Sequence, residues 1–164
     1  MARAQARGTP GSVVVVCYGN ICRSPFAEVS LRRCLGAQGI NGITVESAGL
    51  YGPDRPANDQ ARRLAAARGV DLGSHRSQLF AARHAETPAL VLVMTGEQRR
   101  QVVSSFGVPE DRIELLGDFD PLRPDQRDIP DPYGYPDEVF EQVFDRIERC
   151  IERLCLTWKE TAPQ

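Results

Sequence analysis

Val13-Val14-Val15-Val16-Cys17-Tyr18-Gly19-Asn20-Ile21-Cys22-Arg23-Ser24-Pro25 is the stretch of sequence that decides the fold. Its four valines form an unbroken β-branched run, which is typical of a strand covered on both faces in a parallel sheet. A glycine-containing turn follows, and then Ser24 and Pro25, which suit the N-cap and the first position of a helix. A strand that passes through a short loop into a helix predicts the start of an α/β fold.

The rest of the chain continues this alternation of strands and helices. Further strands are predicted over residues 43–46, 89–94 and 112–116. Helices are predicted from Pro25 to Gly36 or Gly39, over 58–68, from a Thr95/Gln98 capping box to Gly107, and along the apolar face from Val139 to Trp158. Gly/Pro-rich and Pro/Asp-rich loops span 47–56 and 117–136. This order predicts a single-domain, three-layer α/β fold: a four-stranded parallel sheet with helices on both faces.

Composition narrows the class of protein. Of the 164 residues, 41% are hydrophobic and 26% are charged, with a net charge of −2, so the basic excess of a nucleic-acid binder is missing. No apolar run is long enough to cross a bilayer or to serve as a secretory signal. Residues 1–12 are predicted to be a mobile tail. The five cysteines form no CxxC pair, which disfavours a disulfide framework or a zinc site and favours the reducing cytoplasm.

The loop from Cys17 to Ser24 carries the chemistry. Backbone N–H groups of a tight loop that enters a helix converge on one point and bind an oxyanion, and phosphate is the natural guest. Arg23 can add a planar, bidentate cation for two phosphate oxygens. Cys17 lies at the focus of this positive field, which favours the nucleophilic thiolate. A thiolate held against a bound phosphate is poised to attack phosphorus. The sequence therefore predicts a phosphate loop after the first strand, and a reaction that needs no metal or cofactor.

The nonapeptide from Cys17 to Pro25 closely resembles the signature C-x-G-N-x-C-R-S-P of the low-molecular-weight protein tyrosine phosphatases. The resemblance continues at residues 45–49 (Val-Glu-Ser-Ala-Gly), 92–94 (Leu-Val-Met) and 131–133 (Asp-Pro-Tyr), and covers nearly the whole chain after the first dozen residues. It is strongest for the bacterial branch that acts on tyrosine kinases of capsule and exopolysaccharide export. It implies a phosphatase domain over 13–160, with phosphotyrosine-containing proteins as substrates and an autophosphorylating tyrosine kinase as a candidate partner.

By the same resemblance, Cys17 is the nucleophile, Arg23 the phosphate clamp and Asp131 the general acid. A phenolate leaves readily only if it is protonated as it departs, and a carboxylic acid beside the phosphate supplies that proton. Asp131 suits the role because Pro130 and Pro132 stiffen its surroundings; Asp128 is the competing candidate.

Other residues are assigned supporting roles. Ser24 is expected to donate to the Cys17 thiolate or to cap the helix, and Asn20 to shape the loop. The resemblance matches Ser47 and His75 to the residues that contact this asparagine, and gives His84 no role. The substrate-contacting residues are expected to be Tyr18, Gly19, Asn20, Ile21, Cys22, Ser24 and Tyr133.

Aromatic side chains are candidates for the walls of the cleft. Tyr133 matches the wall position of the family, whereas Tyr18, Tyr51 and Tyr135 are further candidates. Deep aromatic walls favour phosphotyrosine over the shorter phosphoserine.

The four cysteines other than Cys17 are interpreted separately, because only Cys22 lies in the same loop as Cys17. Cys22 lies in the same loop as Cys17 and either forms a protective reversible disulfide with it or is a packed small side chain. Cys34, Cys150 and Cys155 fall in helical patterns and are predicted to pack.

Three alternatives use the same scaffold. A thiol-dependent arsenate reductase needs two further cysteines in a mobile segment, and none lies between Cys34 and Cys150. A protein-arginine phosphatase of this family carries Thr where this chain has Ile21. A non-catalytic phosphopeptide binder needs neither the nucleophile nor the acid, so Cys17, Arg23 and Asp131 together disfavour it.

Overall fold

A computed structural model describes residues 9–86 and 89–161. The strands are β1 (Ser12–Cys17), β2 (Thr44–Gly49), β3 (Leu90–Val93) and β4 (Ile113–Leu115). They form one parallel sheet in the order β2-β1-β3-β4. This confirms the predicted fold class. The interior strand β1 pairs with β2 along its whole length, and its last residue, Cys17, pairs with Gly49.

Helices cover both faces of the sheet. They are α1 (Arg23–Ala37), α2 (Asp59–Ala66), α3 (Ala82–Glu86), α4 (Gly96–Phe106) and α5 (Asp137–Thr161), with 3-10 turns at Glu110–Arg112 and Leu116–Phe119. Successive strand residues point to opposite faces, so β1 supplies two hydrophobic cores. Val13 and Val15 pack in the core that contains α1 and α5, and Val14 and Val16 in the core that contains α4. Each of these buried valines contributes about 1.5–3 kcal/mol of transfer free energy.

Two local predictions that concern the site are wrong. Ser24 is not an N-cap, because α1 begins at Arg23 and Cys22 takes the N-cap position without a side-chain cap. The Ser24 hydroxyl contacts Cys17 and Asn20 instead. Ser47 does not lie in a loop: β2 extends to Gly49 because it pairs with every residue of β1.

The remaining elements follow the predictions with small changes. Thr95 caps α4 by accepting from the Gln98 N–H at 3.2 Å, but Gln98 Oε1 accepts from the Met94 N–H and does not close a capping box. The predicted apolar face of α5 is buried apart from the half-buried Val139. The short α3 was not predicted.

The predicted tail falls mainly on residues 1–8, which lie outside the described residues. None of the helices within 9–86 and 89–161 is both long and apolar enough to cross a membrane.

Candidate active site

The carboxyl ends of β1, β2 and β3 bring the candidate residues to one edge of the sheet. Cys17 ends β1 and Gly49 ends β2, and the two residues pair. A Cβ on Gly49 would lie 2.9 Å from Asn20 Cβ, so only glycine lets the loop pack this closely on β2. Asn20 itself has φ +53°, a left-handed conformation that asparagine tolerates better than most residues. The chain thereby turns sharply between Cys17 and the first residue of α1.

Four consecutive carbonyl groups of this loop, those of Tyr18, Gly19, Asn20 and Ile21, accept hydrogen bonds from neighbouring segments. Their donors, in chain order, are the Leu50 and Tyr51 N–H groups (2.8 and 3.0 Å), Arg55 Nη2 (3.0 Å), His75 Nε2 (2.6 Å) and the Asn58 N–H (2.9 Å). In a planar trans peptide the N–H points opposite to the C=O. The N–H groups of residues 19–22 therefore point away from these donors. Within the described residues none of these four N–H groups donates a hydrogen bond, so all four are available to an anion.

Cys17 is buried, and its Sγ lies 2.9 Å from Ser24 Oγ. Asn20 Nδ2 donates both to Ser24 Oγ, at 2.8 Å, and to Ser47 Oγ, at 2.9 Å. Ser47 Oγ in turn donates to the Glu28 carboxylate, which can only accept. Because Ser24 Oγ already accepts from Asn20, its own hydrogen is available to the Cys17 sulfur, where it would stabilise a thiolate.

Arg23 is almost completely buried, and the three nitrogens of its guanidinium have different surroundings. Nη1 donates to the Ile129 carbonyl at 2.8 Å, and Nη2 lies 3.4 Å from Asp131 Oδ2. Nε is buried and has no partner among the described residues. An unsatisfied buried donor costs about 1–3 kcal/mol, so an acceptor such as a phosphate oxygen would be stabilised here.

The two candidate acids occupy different positions. Asp131 faces Arg23, is 46% exposed at its side chain, and accepts from the Tyr133 N–H at 3.1 Å. Asp128 Oδ1 instead accepts from the Gly96 N–H at the first residue of α4, at 2.9 Å. The geometry therefore brings Asp131, and not Asp128, to the buried arginine of the loop.

A buried ion pair, which the sequence analysis missed, holds the loop that carries Asp131. Arg146 of α5 binds Asp120 at 2.9 Å and donates to the Asp128 carbonyl at 2.6 Å and to the Gln126 carbonyl. Burial raises the pKa of Asp120, but hydrogen bonds from Arg149, from the Leu122 N–H and from Arg146 outweigh this and lower it. The sequence signal for this ion pair is an arginine, Arg146, that lies within the apolar stripe of α5.

The remaining cysteines differ from Cys17 in their surroundings. Burial, then the negative charges of Cys17 and Asp131, raise the pKa of Cys22 to about 12, although Arg23 and Arg55 oppose this shift. Cys22 is therefore a neutral thiol. Cys150 and Cys155 are buried and Cys34 half-buried, and burial raises the pKa of Cys150 to about 12. Their positions agree with the predicted packing role.

Exposed aromatic rings occur in the loop and in two segments that contact it. Tyr18 and Tyr51 are 52% and 59% exposed and stack with their centroids 5.6 Å apart. Tyr133, next to Asp131, and Tyr135 are also exposed. His75 reaches Asn20, as expected, although through the backbone carbonyl.

His84 lies elsewhere, within α3, where its ring stacks on Phe80. Burial and then Arg83 lower its pKa, while Glu46 opposes this shift.

A parallel sheet whose first strand ends in a cysteine, followed by a loop of unpaired N–H groups that enters a helix, is typical of phosphate-binding α/β proteins. Comparisons with known proteins agree with this class. The model of the low molecular weight phosphotyrosine protein phosphatase family matches residues 12–163. The protein-tyrosine-phosphatase Etp of Escherichia coli K12 is 37% identical over 142 residues, which cover 86% of this chain and 90% of Etp.

Solved structures are similar as well. The tyrosine phosphatase Wzb from Escherichia coli K30, in complex with sulphate, is 32% identical with a TM-score of 0.80, over 90% of this chain and 98% of Wzb. A cysteine-to-serine variant of the YwlE arginine phosphatase, with a phosphorylated active-site serine, is 27% identical with a TM-score of 0.82, over 91% of this chain and 96% of that one. The chain belongs to the low-molecular-weight protein-tyrosine-phosphatase family and is an enzyme of that type, which confirms the predicted resemblance.

Proposed function

We propose that the protein hydrolyses phosphotyrosine in two steps at the loop from Cys17 to Ser24. The Cys17 thiolate attacks phosphorus as the bond to the tyrosine oxygen breaks, and Asp131 protonates the departing phenolate. The Asp131 carboxylate then takes a proton from water, which attacks the phosphocysteine and releases phosphate and the thiolate. The observation that carries this proposal is that one loop holds the Cys17 sulfur, the N–H groups of residues 19–22 and Arg23 Nε, and that none of these N–H groups has an acceptor among the described residues.

The polar groups around Cys17 support a covalent intermediate. Its sulfur lies 2.9 Å from Ser24 Oγ, whose hydrogen can stabilise the thiolate both as the attacking group and as the leaving group of the second step. The phosphorylated active-site serine in the variant of the arginine phosphatase is a covalent phosphoenzyme of that relative.

Exposed aromatic groups in the loop and in the segments that contact it support tyrosine as the phosphorylated residue. The exposed rings of Tyr18, Tyr51 and Tyr133 offer apolar faces to a phenyl ester. Ile21, half-buried in the loop, fits a planar phenyl ester better than a phosphoguanidinium. A protein-arginine-phosphatase of Geobacillus stearothermophilus is 31% identical, over 88% of this chain and 94% of that protein. Phosphoarginine is therefore the competing substrate to measure beside phosphotyrosine.

An autophosphorylating bacterial tyrosine kinase of polysaccharide export is the proposed protein substrate, in a reducing cytoplasm. A nucleophilic thiol beside a second thiol supports a reducing compartment. Incubation of the enzyme with the phosphorylated form of a co-encoded kinase, followed by phosphotyrosine detection, tests this partner. Persistence of the phosphotyrosine signal under conditions where a small aryl phosphate is hydrolysed would exclude that kinase.

Asp131→Asn is expected to slow phosphoenzyme formation from phosphotyrosine by about 100-fold or more, the usual range for loss of a general acid. Tyrosine leaves as a phenolate of pKa about 10 and needs the proton most, whereas p-nitrophenolate needs it less. The slowing should therefore be much smaller with p-nitrophenyl phosphate. Single-turnover phosphorylation rates measured with both substrates give this comparison.

Asp128→Asn is the matched control, since Asp128 lies three residues earlier in the same loop and accepts from Gly96 instead. Equal slowing of both substrates by Asp131→Asn would show that Asp131 is not the acid. A leaving-group dependence in Asp128→Asn would transfer the role to that residue.

Mild peroxide is expected to inactivate the enzyme through a disulfide between Cys17 and Cys22, and dithiothreitol to restore at least about 80% of the activity. Peroxide oxidises the Cys17 thiolate to a sulfenic acid, and the Cys22 thiol displaces water from it. In Cys22→Ser no bridge can form, so peroxide should oxidise the Cys17 sulfenic acid further to sulfinic acid, which dithiothreitol does not reduce. Mass spectrometry that finds sulfinic or sulfonic Cys17 without a bridged peptide would contradict this prediction.

A further inference from the structure

Arg55 lies on the outer side of the phosphate loop, between that loop and the segment after β2. Its Nε donates to the Gly52 carbonyl at 3.0 Å, and its Nη2 to the carbonyls of Gly19, at 3.0 Å, and Tyr51, at 3.3 Å. Its guanidinium carbon lies 5.7 Å from the centre of the Tyr51 ring. One side chain thus links the Cys17–Ser24 loop to the stacked pair of Tyr18 and Tyr51.

The backbone around Arg55 leaves room for its guanidinium. Gly52 has φ +72°, and a Cβ at that position would lie 2.5 Å from the Arg55 guanidinium. A Cβ on Gly19 would lie 3.0 Å from Arg55 Nη2. Because glycines border this guanidinium on two sides, the backbone leaves a space that fits it closely. Arg76, by contrast, is exposed and pairs with the exposed Asp54.

The bond to the Gly19 carbonyl has a consequence for the anion site. Among the described residues, Arg55 is the only donor to this carbonyl, whereas the Tyr18 carbonyl has two backbone donors. The peptide that joins Gly19 to Asn20 can rotate readily, because glycine accepts nearly any backbone dihedral. If this carbonyl turned inward, the Asn20 N–H would turn away from the anion, and a carbonyl dipole would oppose the phosphate charge.

We propose that Arg55 is a positioning residue that holds the Gly19 carbonyl outward and thereby keeps the Asn20 N–H directed at the phosphate. The same guanidinium lies over the Tyr51 ring and helps to hold it in place, and Tyr51 in turn stacks on Tyr18. Arg55 acts without contact to the reacting atoms. This inference rests on the proposed role of the Cys17–Ser24 loop as the phosphate site.

The test is the inhibition constant of inorganic phosphate, measured with p-nitrophenyl phosphate as substrate, together with the melting temperature. Arg55→Met is expected to raise this constant about tenfold, equivalent to about 1.4 kcal/mol, the scale of a hydrogen bond from a charged donor. Arg76→Met removes an arginine from the neighbouring strand-like segment and is expected to change the constant less than about twofold, as a surface substitution. Arg55→Lys keeps a cation that can donate to the Gly19 carbonyl and should recover at least half of the loss on a logarithmic scale.

A purely structural role for Arg55 would lower the melting temperature without a rise in the inhibition constant above that of Arg76→Met, and this outcome would overturn the inference. If Arg55→Met does not melt cooperatively, the same criterion is applied to Arg55→Leu, which also lacks a donor to the Gly19 carbonyl. Arg23→Ala separates the two proposals. If Arg23→Ala binds phosphate like the wild type, the loop is not the phosphate site. If it loses phosphate while Arg55→Met does not, only the role of Arg55 is refuted.

Discussion

Cys17→Ser is expected to abolish turnover, by on the order of 10⁶-fold in kcat, the scale of removing a covalent nucleophile. A serine hydroxyl at this position is a far weaker nucleophile than a thiolate, and a poorer leaving group in the second step. Phosphate affinity should stay within about threefold of the wild type, since the binding groups are backbone N–H groups and Arg23. Steady-state hydrolysis of p-nitrophenyl phosphate and calorimetric titration with phosphate measure the two effects.

The measurement has to follow turnover and not phosphorylation alone. In the cysteine-to-serine variant of the related arginine phosphatase, the active-site serine is phosphorylated. A serine at position 17 that takes up a single phosphate would therefore agree with the prediction, whereas repeated turnover would not. Cys34→Ser is the matched control, because Cys34 is a half-buried cysteine of α1 outside the loop, and it is expected to retain activity. Residual kcat above about 1% in Cys17→Ser would refute the assignment of the nucleophile.

The parts of the molecule that the sequence predicts well are those with a local signal. β1 follows from four consecutive valines, and the anion loop follows from the residue types between Cys17 and Ser24. The sequence predicts a loop from Ser47 onward because the stretch 47–56 is rich in glycine and proline, which are depleted in strands. Pairing of β2 with β1 up to Cys17 keeps residues 47–49 in the sheet. Tertiary pairing overrides local preference here, and it also places Ser47 beside Asn20.

The contacts that the sequence did not predict are made by long side chains, whose partners are set by the tertiary fold. Arg55 lies in a Gly/Pro-rich loop, where no periodicity indicates the direction of a side chain. Its bond to Gly19 joins residues 36 positions apart. Glu28 shares a helix with Arg23, and only the fold shows that it accepts from Ser47. Arg146 was detectable, since it interrupts the apolar face of α5 and a buried arginine requires partners.

Arg23→Lys is expected to be nearly as damaging as Arg23→Ala, with kcat/KM reduced by about 100- to 1000-fold in both, the range for losing an oxyanion-binding donor. The guanidinium has three separate tasks in this structure. It donates to Ile129, lies beside Asp131, and leaves Nε free inside the site. An ammonium is a point charge without this fixed fork, so it cannot serve all three directions.

Arg23→Lys should lower kcat as well as weaken phosphate binding. Ile129 is fully buried, and a buried carbonyl without its donor costs about 1–3 kcal/mol, which loosens the segment that carries Asp131. Both kcat and the inhibition constant of phosphate should therefore worsen, whereas a clamp that only binds substrate would affect the inhibition constant and KM. Arg33→Lys, on the exposed side of the same helix, is the control and should stay within about twofold of the wild type. If Arg23→Lys kept catalytic efficiency within about threefold of the wild type, positive charge alone would be sufficient, and the bidentate role of Arg23 would be refuted.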